Sequence, residues 1–479
     1  MRYLILCHRY LGTAIGILMV GWCLTGVVMM YVRYPQLSPA MRSRLLQPLD
    51  WHGCCAGTTS LPDGASVEEF QIEGLAGRAV LRVQFTDHRR KLIDLTDQRE
   101  ISQVSQAQAA AVAGAGSTQH ARLLGLIRDD EWTVSGEFNR ARPLYHYALG
   151  DALGTERYVS ARTGQLVQVT TSRQRFWNWV GAVPHWLYFA QLRRNAAVWN
   201  QVVIWTALTG CFLTLLGMYL GVRQFLRRPA GRWSAYRGLL YWHHLPGLIF
   251  GVLALTWVAS GLISMNPWGF LDSGASGSAV AALIGPPLSG TQVNQALRTL
   301  SVAALPPGVV SVESSRLRGH LYLLATDSTG SRTRLGSDGT PAPLAPAEWQ
   351  TIATALGATT PVAPELIAAD DAYYYSRPGT PRPFPVRRLG LNDAHQTRYY
   401  LDPVTGSPWE VIDTEARWYR WLHGGLHTLD FSGAIRSRPL WDIVMLILLA
   451  GVTVICGTGT WLGWRRYIRL KPRKYHPEK

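Results

Sequence analysis

The chain has 479 residues and a formal net charge of +16, yet only 16% of its residues are charged and 47% are hydrophobic. Soluble proteins carry about 25% charged residues, so this composition indicates a membrane protein. The positive charges lie at the ends of apolar runs and not along one surface, which excludes nucleic acid as the partner that a basic chain would suggest.

Four apolar runs are long enough to cross a bilayer whose hydrocarbon core is about 30 Å thick. The first is too long for the apolar part of a signal peptide and lacks a small-x-small cleavage site. The four predicted transmembrane helices are approximately Ile5–Val32, Val198–Val222, Leu239–Met265 and Leu440–Trp464.

The basic residues orient these helices, because arginine and lysine collect on the cytoplasmic side of membrane proteins. One cluster follows the second span and one follows the fourth. They consist of Arg223, Arg227, Arg228, Arg232 and Arg237, and of Arg465, Arg466, Arg469, Lys471, Arg473 and Lys474. We therefore predict that both termini are cytoplasmic and that two large loops lie outside.

The predicted fold is an α-helical membrane protein with four transmembrane helices in a parallel internal repeat and two outer α+β regions. In chain order the segments are transmembrane helix 1 (1–34), outer region 1 (35–176), an interfacial segment with transmembrane helix 2 (177–222), a cytoplasmic loop (223–238), transmembrane helix 3 (239–265), outer region 2 (266–416), an interfacial segment with transmembrane helix 4 (417–465) and a basic cytoplasmic tail (466–479).

Alternating apolar and polar residues predict strands in both outer regions. The patterns are "RAVLRVQFTDHRRKLIDL" from Arg78 and "HLYLLATDSTGSRTRL" from His320, each arranged around a turn. The stretch from Pro286 to Ala347 is rich in Pro, Gly and Ala, so it is predicted to contain linkers.

The internal repeat appears at two offsets. An offset of 242 residues relates the second and fourth spans and the outer sequence before each, and pairs Trp179 with Trp421, His185 with His427, Trp199 with Trp441 and Gly217 with Gly459. An offset of 235 relates the first and third spans, and pairs His8 with His243, Gly12 with Gly247, Gly16 with Gly251, Trp22 with Trp257 and Gly26 with Gly261. Both copies are predicted to enter from the cytoplasm, so the pseudo-twofold axis runs along the membrane normal.

Four histidines occupy equivalent positions as two pairs. His8 and His243 lie at the cytoplasmic ends of spans one and three, and His185 and His427 lie in aromatic segments before spans two and four. His423 has no counterpart, because a glycine stands 242 residues before it, so we regard it as a helper of His427. A single interfacial histidine is usually structural, but two symmetric pairs favour ligand binding.

These two histidine pairs, taken as candidate metal ligands, favour haem over zinc. Zinc normally takes four protein ligands, or three in a catalytic site, and no Cys, Asp or Glu shares the symmetry. Two imidazoles that meet across a pseudo-twofold axis suit low-spin haem, which takes one axial ligand from each side. We therefore predict two b-type haems, an inner one held by His8 and His243 and an outer one held by His185 and His427, with His244 as the alternative to His243.

Three arginines are candidates for pairing with haem propionates, since a planar guanidinium pairs well with a carboxylate. Arg9 lies at the predicted inner site, and Arg194 and Arg436 lie near the outer one. Anchoring to lipid headgroups explains these arginines equally well. The adjacent Cys54 and Cys55 of outer region 1 can oxidise, and their redox state is left open.

Four segments of the chain resemble the PepSY-associated transmembrane family. They are "CHRYLGTAIGILMVGWCLTG" from Cys7, "WHHLPGLIFGVLALTWVASG" from Trp242, "YYLDPVTG" from Tyr399 and "LHGGLHTLDFSG" from Leu422. The resemblance covers nearly the whole chain. It implies a multi-pass protein of the bacterial inner membrane with periplasmic PepSY-like domains. It also implies a likeness to family members that reduce ferric siderophores and hold b-type haem on span histidines.

One departure from the family pattern lies in a periplasmic turn. The first copy has Ser160-Ala161 where the second has Asp402-Pro403 before the Thr-Gly pair. This departure argues against a ligand role common to the two turns and leaves the predicted haem sites unaffected.

The leading interpretation is an enzyme that carries electrons outward to a periplasmic ferric siderophore or another ferric chelate. The cytoplasmic segments are too short for a flavin or nicotinamide domain, and no G-x-G-x-x-G follows a strand. The electron donor is therefore a separate protein or a quinol in the bilayer.

The rival interpretation is a non-catalytic membrane protein that regulates periplasmic peptidases or cell-wall enzymes, because PepSY modules also resemble propeptides that restrain peptidases. A transporter is the third, and the lack of buried acidic residues in the spans disfavours it.

Overall fold

The computed structural model describes residues 1–49, 61–272, 277–302, 305–360, 362–377 and 380–470. Cys54 and Cys55 lie outside this part of the chain, as do the last basic residues of the tail. The chain forms two compact units. The helical unit comprises Met1–Tyr34, Phe176–Asp272 and Arg417–Lys479, and the sheet unit comprises Pro35–Arg175 and Ser273–Ala416.

The helices are α1 (Arg2–Met29), α2 (Pro39–Leu45), α3 (Gln106–Gly114), α4 (Ser172–Val180), α5 (Ala182–Trp186), α6 (Ala190–Arg193), α7 (Ala196–Leu226), α8 (Leu239–Ser264), α9 (Gly277–Ile284), α10 (Gly290–Val302), α11 (Pro346–Ala355), α12 (Thr414–Tyr419), α13 (Leu426–Thr428), α14 (Gly433–Arg436) and α15 (Leu440–Leu470). Short 3₁₀ helices cover Gly136–Arg140 and Pro267–Gly269, and a π-helix covers Arg420–Gly425. The strands are β1 (Ser66–Leu75), β2 (Arg78–Phe85), β3 (Arg90–Asp94), β4 (Arg122–Ile127), β5 (Leu144–Ala148), β6 (Glu156–Ser160), β7 (Leu166–Thr170), β8 (Leu288–Ser289), β9 (Val309–Leu317), β10 (His320–Asp327), β11 (Arg332–Leu335), β12 (Glu365–Ile367), β13 (Val386–Gly390), β14 (Arg398–Leu401) and β15 (Pro408–Ile412).

Four helices, α1, α7, α8 and α15, are long and apolar enough to cross a membrane. The shortest of them, α8, has 26 residues and is about 39 Å long at about 1.5 Å per residue, which exceeds the hydrocarbon thickness. The chain is therefore a multi-pass membrane protein. Helix α15 continues beyond the predicted end of the span at Trp464 to Leu470, because the arginines that follow are good helix formers.

The four long helices pack in a closed ring. Helix α1 contacts α7 and α15, and α8 contacts the same two helices, so α1 and α8 stand diagonally opposite each other. The middle of the ring is apolar and contains Met19, Cys23, Ala207, Ala254, Val258, Leu449, Val452 and Cys456. Glycines allow the close approach of α1 and α15, since a Cβ at Gly16 would collide with Thr460 and one at Gly463 with Thr13.

In the sheet unit, the two outer regions share one sheet. Its strand order is β11-β10-β9-β1-β2-β3, with β8 paired to β1. Strand β1 of the first region is antiparallel to β9 of the second, with Gln71 opposite Glu313. The two regions, which the sequence predicted as separate domains, therefore form one compact unit. The sheet buries an apolar core that includes Phe70, Ile72 and Leu81.

Buried polar groups reinforce the junction between β1 and β9. Glu73 accepts hydrogen bonds from Arg42 and Arg82, at 2.7 and 3.1 Å. The amide of Gln71 donates to both Glu73 and Glu313, each at 2.7 Å. Burial and the nearby Glu73 raise the pKa of Glu313. The network satisfies charges that would otherwise be costly to bury.

Two four-stranded sheets complete the sheet unit, with orders β4-β5-β6-β7 and β12-β13-β14-β15. Strands β13, β14 and β15 each begin 242 residues after β5, β6 and β7. The Thr-Gly pairs lie in the turns between β6 and β7 and between β14 and β15. Gly164 and Gly406 have positive φ angles there, of 66° and 76°, a conformation that favours glycine.

The prediction of linkers between Pro286 and Ala347 is largely wrong. Most of that stretch forms α10 and the strands β8 to β11. The alternating apolar residues of β9 and β10 determine the structure, and the glycines lie in the turns, for example Gly319 and Gly330 with φ angles of 79° and 89°.

Candidate functional site

The inner histidine pair joins two diagonal helices of the ring. His8 lies near the start of α1 and His243 near the start of α8, and their ring centres are 6.2 Å apart with planes inclined by 41°. His243 Nδ1 is 3.1 Å from the carbonyl oxygen of Ile455. A carbonyl only accepts, so His243 carries its proton on Nδ1 and keeps a lone pair on Nε2.

Each ring of the inner pair packs against a glycine on an adjacent helix. A Cβ at Gly217 of α7 would lie 2.6 Å from Cε1 of His8, and a Cβ at Gly459 of α15 would lie 2.7 Å from Cε1 of His243. Both distances are far below van der Waals contact. Glycine at these two positions therefore provides the space that the histidine rings occupy.

The outer histidine pair lies on short helices that precede α7 and α15. His185 belongs to α5, which packs on α1, and His427 belongs to α13, which packs on α8. The ring centres are 6.4 Å apart and the planes are inclined by 75°. Each short helix ends at a leucine in the left-handed conformation, Leu187 and Leu429, with φ angles of 53° and 55°. This conformation is uncommon for a branched residue and turns the chain in the same way after each histidine.

Hydroxyl groups hold both outer histidines. Thr25 Oγ1 lies 3.0 Å from His185 Nδ1, and Ser260 Oγ lies 2.9 Å from His427 Nδ1. Each hydroxyl has a single proton and donates it to a backbone carbonyl of its own helix, at 2.8 and 3.0 Å respectively. Each hydroxyl must therefore accept the proton of the histidine. Both rings are protonated on Nδ1 and leave a lone pair on Nε2.

Burial disfavours the charged form of both outer histidines. Burial lowers the pKa of His185 to about 4. Burial, with the neighbouring His423 and His185, lowers the pKa of His427 to about 3. Neutral imidazole is the form that binds a metal.

His244, the alternative to His243, has hydrogen-bond partners at both ring nitrogens. Its Nδ1 lies 2.7 Å from Ser234 Oγ and its Nε2 lies 2.9 Å from the carbonyl oxygen of Gly221. Because the carbonyl requires a donor, Nε2 carries the proton and has no lone pair to offer. This arrangement favours His243 as the candidate ligand.

His423 lies beside the outer pair, in the π-helix, a conformation that is frequent at functional sites. Its ring centre is 5.3 Å from that of His427. Its Nδ1 is 3.1 Å from the backbone carbonyl of Ser260, the residue whose hydroxyl holds His427. His423 therefore shares an anchor with the candidate ligand, which suits the predicted helper role.

The three candidate arginines have different surroundings. Arg436 lies 3.1 Å from Asp430, a buried carboxylate that also has Arg420 at 3.4 Å. This ion pair was not predicted from the sequence, although Asp430 is only six residues before Arg436. Arg194 follows the last residue of α6, and Arg9 lies on α1 one residue after His8.

The donor sets can be tested against haem. A ring centre lies about 1.1 Å from its nitrogen and a metal–imidazole bond is about 2.0–2.1 Å long, so two imidazoles on opposite sides of one metal have centres roughly 6.3 Å apart. The observed separations are 6.2 and 6.4 Å. In the described part of the chain, no group of three or more His, Cys, Asp or Glu residues could hold a metal ion. Each pair therefore offers two donors, fewer than a zinc site takes, at a separation that two imidazoles on one metal would have.

Comparison with known proteins identifies one family. The model of the PepSY-associated TM region matches residues 5–466, nearly the whole chain. This match confirms the resemblance that the sequence motifs indicated. No curated protein matches the chain.

Proposed function

Because this chain belongs to the PepSY-associated TM family, we propose that it is an electron-transfer protein of the bacterial inner membrane. It would bind two b-type haems and reduce a ferric siderophore or another ferric chelate in the periplasm. Both termini would be cytoplasmic and the sheet unit periplasmic, in line with the basic residues after α7 and near the end of α15.

The observation that carries this proposal is the presence of two histidine pairs at different depths of one helical ring. Thr25, which holds His185, lies 17 residues after His8 on α1, a distance of about 25 Å along a helix. The apolar residues of the ring, among them Met19 and Cys23, lie between these levels. One pair near each membrane face is the arrangement that electron transfer across a bilayer requires.

The protein's part in the reaction is to hold and orient. His8 and His243 would hold the inner haem, and His185 and His427 the outer one. Hydrogen bonds at Nδ1 fix the rings of His185, His427 and His243 and make their Nε2 atoms more basic. When bound, haem supplies one-electron redox chemistry, which the histidines alone do not.

The repeat supports two sites of similar construction. His8 packs on Gly217 as His243 packs on Gly459, and the pairs of positions are 235 and 242 residues apart. We propose that spans one and two, and spans three and four, are two copies of one unit. Each haem site would then take one ligand from each copy.

Reduction outside the cell membrane has a simple chemical purpose. Ferric iron prefers hard oxygen ligands, and ferrous iron is held far less tightly by them. One delivered electron therefore releases the metal without hydrolysis of the chelator. The electron would come from a quinol in the bilayer or from a separate reductase protein.

Haem content tests this proposal. Protein purified in detergent should give a b-type pyridine haemochrome at about two haems per chain, because each site uses two imidazoles. His8→Ala and His243→Ala should each remove one haem, and His244→Ala should remove none. Protein without a Soret band would favour the regulatory interpretation. A single haem that persists in both His8→Ala and His243→Ala would contradict the inner site.

A further inference from the structure

Three arginines of the sheet unit come close together without a carboxylate partner. Arg90 at the start of β3 lies 3.4 Å, at Nη1, from the carbonyl oxygen of Arg140. Burial lowers the pKa of Arg90, as do the charges of Arg140 and Arg162, against the opposing charge of Glu69. In the part of the chain that the structure describes, none of the three arginines forms an ion pair. No carboxylate in that part of the chain therefore lies within ion-pair distance of these three guanidinium groups.

An open cavity of about 600 Å³ adjoins this cluster at Arg162 and is lined by Arg128, Asn139, Arg142, Pro143 and Arg162. Its volume is in the range of small-molecule sites. Arg142 is fixed by the carbonyl oxygens of Thr133 and Ser135, at 2.5 and 3.1 Å. The lining contains guanidinium and amide groups and no carboxylate, although Asp129 lies 3.6 Å from Arg128 at its edge.

The equivalent positions 242 residues later are neutralised. Arg332 makes two hydrogen bonds to Asp402, at 2.8 and 2.9 Å. Arg382 lies 2.5 Å from Glu410. The third arginine is replaced by Val404. Both arginines at the equivalent positions, Arg332 and Arg382, thus have an anionic partner within the protein.

The first half has no such carboxylates. The positions that correspond to Asp402 and Glu410 are occupied by Ser160 and Gln168, which are neutral. Both halves nevertheless form the same three consecutive strands, β5–β7 and β13–β15. The fold thus does not require unpaired arginines, and their charge is available for a ligand.

We propose that this arginine pocket, lined by Arg128, Asn139, Arg142 and Arg162 with Arg90 and Arg140 beside it, binds a small anion with several carboxylates. Resting on the proposed function, we infer that the anion is a ferric polycarboxylate chelate. Guanidinium groups pair with carboxylates through two parallel hydrogen bonds. Three clustered guanidiniums therefore favour a ligand with several carboxylates over a neutral chelate.

A redox-inert probe separates binding from electron transfer. Gallium(III) citrate would be titrated into the purified full-length protein in detergent, and binding would be followed by calorimetry. The wild type should bind saturably, and the double variant Arg140→Gln/Arg162→Gln should bind at least tenfold more weakly. Arg89→Gln is the matched control, because it removes the exposed guanidinium of the residue before Arg90, which pairs with Asp87, and it should bind like the wild type.

Three results would overturn the proposal. The wild type could fail to bind gallium citrate saturably, the double variant could bind it as tightly as the wild type, or sulfate could displace it as effectively as citrate does. The last result would show a non-specific anion site. The absorption spectrum of the same samples keeps the two hypotheses apart. Weak binding by a protein with intact haem would overturn the pocket alone, whereas saturable binding by a haem-free protein would support the pocket and contradict the proposed electron transfer.

Discussion

The two segments that carry the outer histidines, residues 177–195 and 419–437, place their histidines in the same way with different neighbours. In both, a hydroxyl from a long helix accepts the Nδ1 proton of the histidine, His185 or His427. In both, a left-handed leucine follows two residues later. These features are the ones that define the orientation of the ring.

The surroundings differ in charge. The second segment contains the buried Asp430 between Arg420 and Arg436. In the first segment, the positions of Asp430 and Arg420 are occupied by Tyr188 and Asn178, and Asn178 donates to a backbone carbonyl at 2.9 Å. A buried carboxylate between two arginines in one segment, and Tyr188 and Asn178 at the positions of that carboxylate and of Arg420 in the other, thus accompany the same histidine orientation. The comparison teaches that the hydroxyl contact is the common requirement and that the charges are a local solution.

The largest expected effect is on haem binding. It distinguishes His185 and His427, which correspond in the two segments, from His423, which has no counterpart. His185→Ala and His427→Ala should each abolish the outer haem, because each residue supplies half of one site. His423→Ala should keep that haem, since the first segment has Gly181 and no histidine at the corresponding position. Haem content and ferric-chelate reduction by the three purified variants measure this. Loss of haem in His423→Ala with retention in His427→Ala would reverse the assignment.

The inner pair extends the comparison to glycines. Gly217→Ala and Gly459→Ala should displace the rings of His8 and His243 and remove most of the inner haem, because each new Cβ would lie under 3 Å from a ring. Gly457→Ala is the control, since a Cβ there meets nothing within 4 Å. The measurement is the number of haems per chain in the three purified variants. An inner haem that survives both substitutions would show that the glycines do not define the site.

The ion cluster should matter for stability in one segment only. Asp430→Asn leaves two arginines without their carboxylate, and breaking a buried pair in this way costs about 3–5 kcal/mol. The side chain of Arg436 is 20% exposed. We therefore expect a loss of about 3 kcal/mol in the free energy of unfolding, the lower end of that range. Tyr188→Phe at the equivalent position should change stability by less than about 0.5 kcal/mol. Thermal unfolding in detergent compares the two, and similar losses would remove the distinction between the segments.

The smallest effect concerns the feature that both segments share. Thr25→Val and Ser260→Ala should each weaken outer haem binding by about tenfold, because loss of a partner of this kind typically costs 10–100-fold in affinity. The reduction potential of the outer haem should rise, since the ring becomes less basic. Thr25→Ser should restore both properties. Haem-transfer kinetics and potentiometric titration provide the measurements, and unchanged potentials in both variants would contradict the positioning role.

Much of the local structure could be predicted from the pattern of apolar and polar residues along the sequence. The four apolar runs predicted the four long helices, because crossing a bilayer requires a continuous apolar segment. The alternation after Arg78 and after His320 predicted the hairpins that the structure contains, because side chains on a strand point to opposite faces. The offsets of 235 and 242 residues paired His8 with His243 and His185 with His427, and the structure brings each pair within 6.4 Å.

Contacts between distant segments were decided only by the tertiary structure. Nothing in the local pattern of β1 indicates that it pairs with β9, because a strand's period specifies its faces and not its neighbour. The choice between His243 and His244 depends on which carbonyl oxygen each ring meets, Ile455 or Gly221. The sequence by itself determined the four long helices, the hairpins after Arg78 and His320, and the pairing of the histidines by their offsets. Hydrogen-bond partners, and with them the nitrogen available to a metal, depend on the packing of residues far apart in the chain.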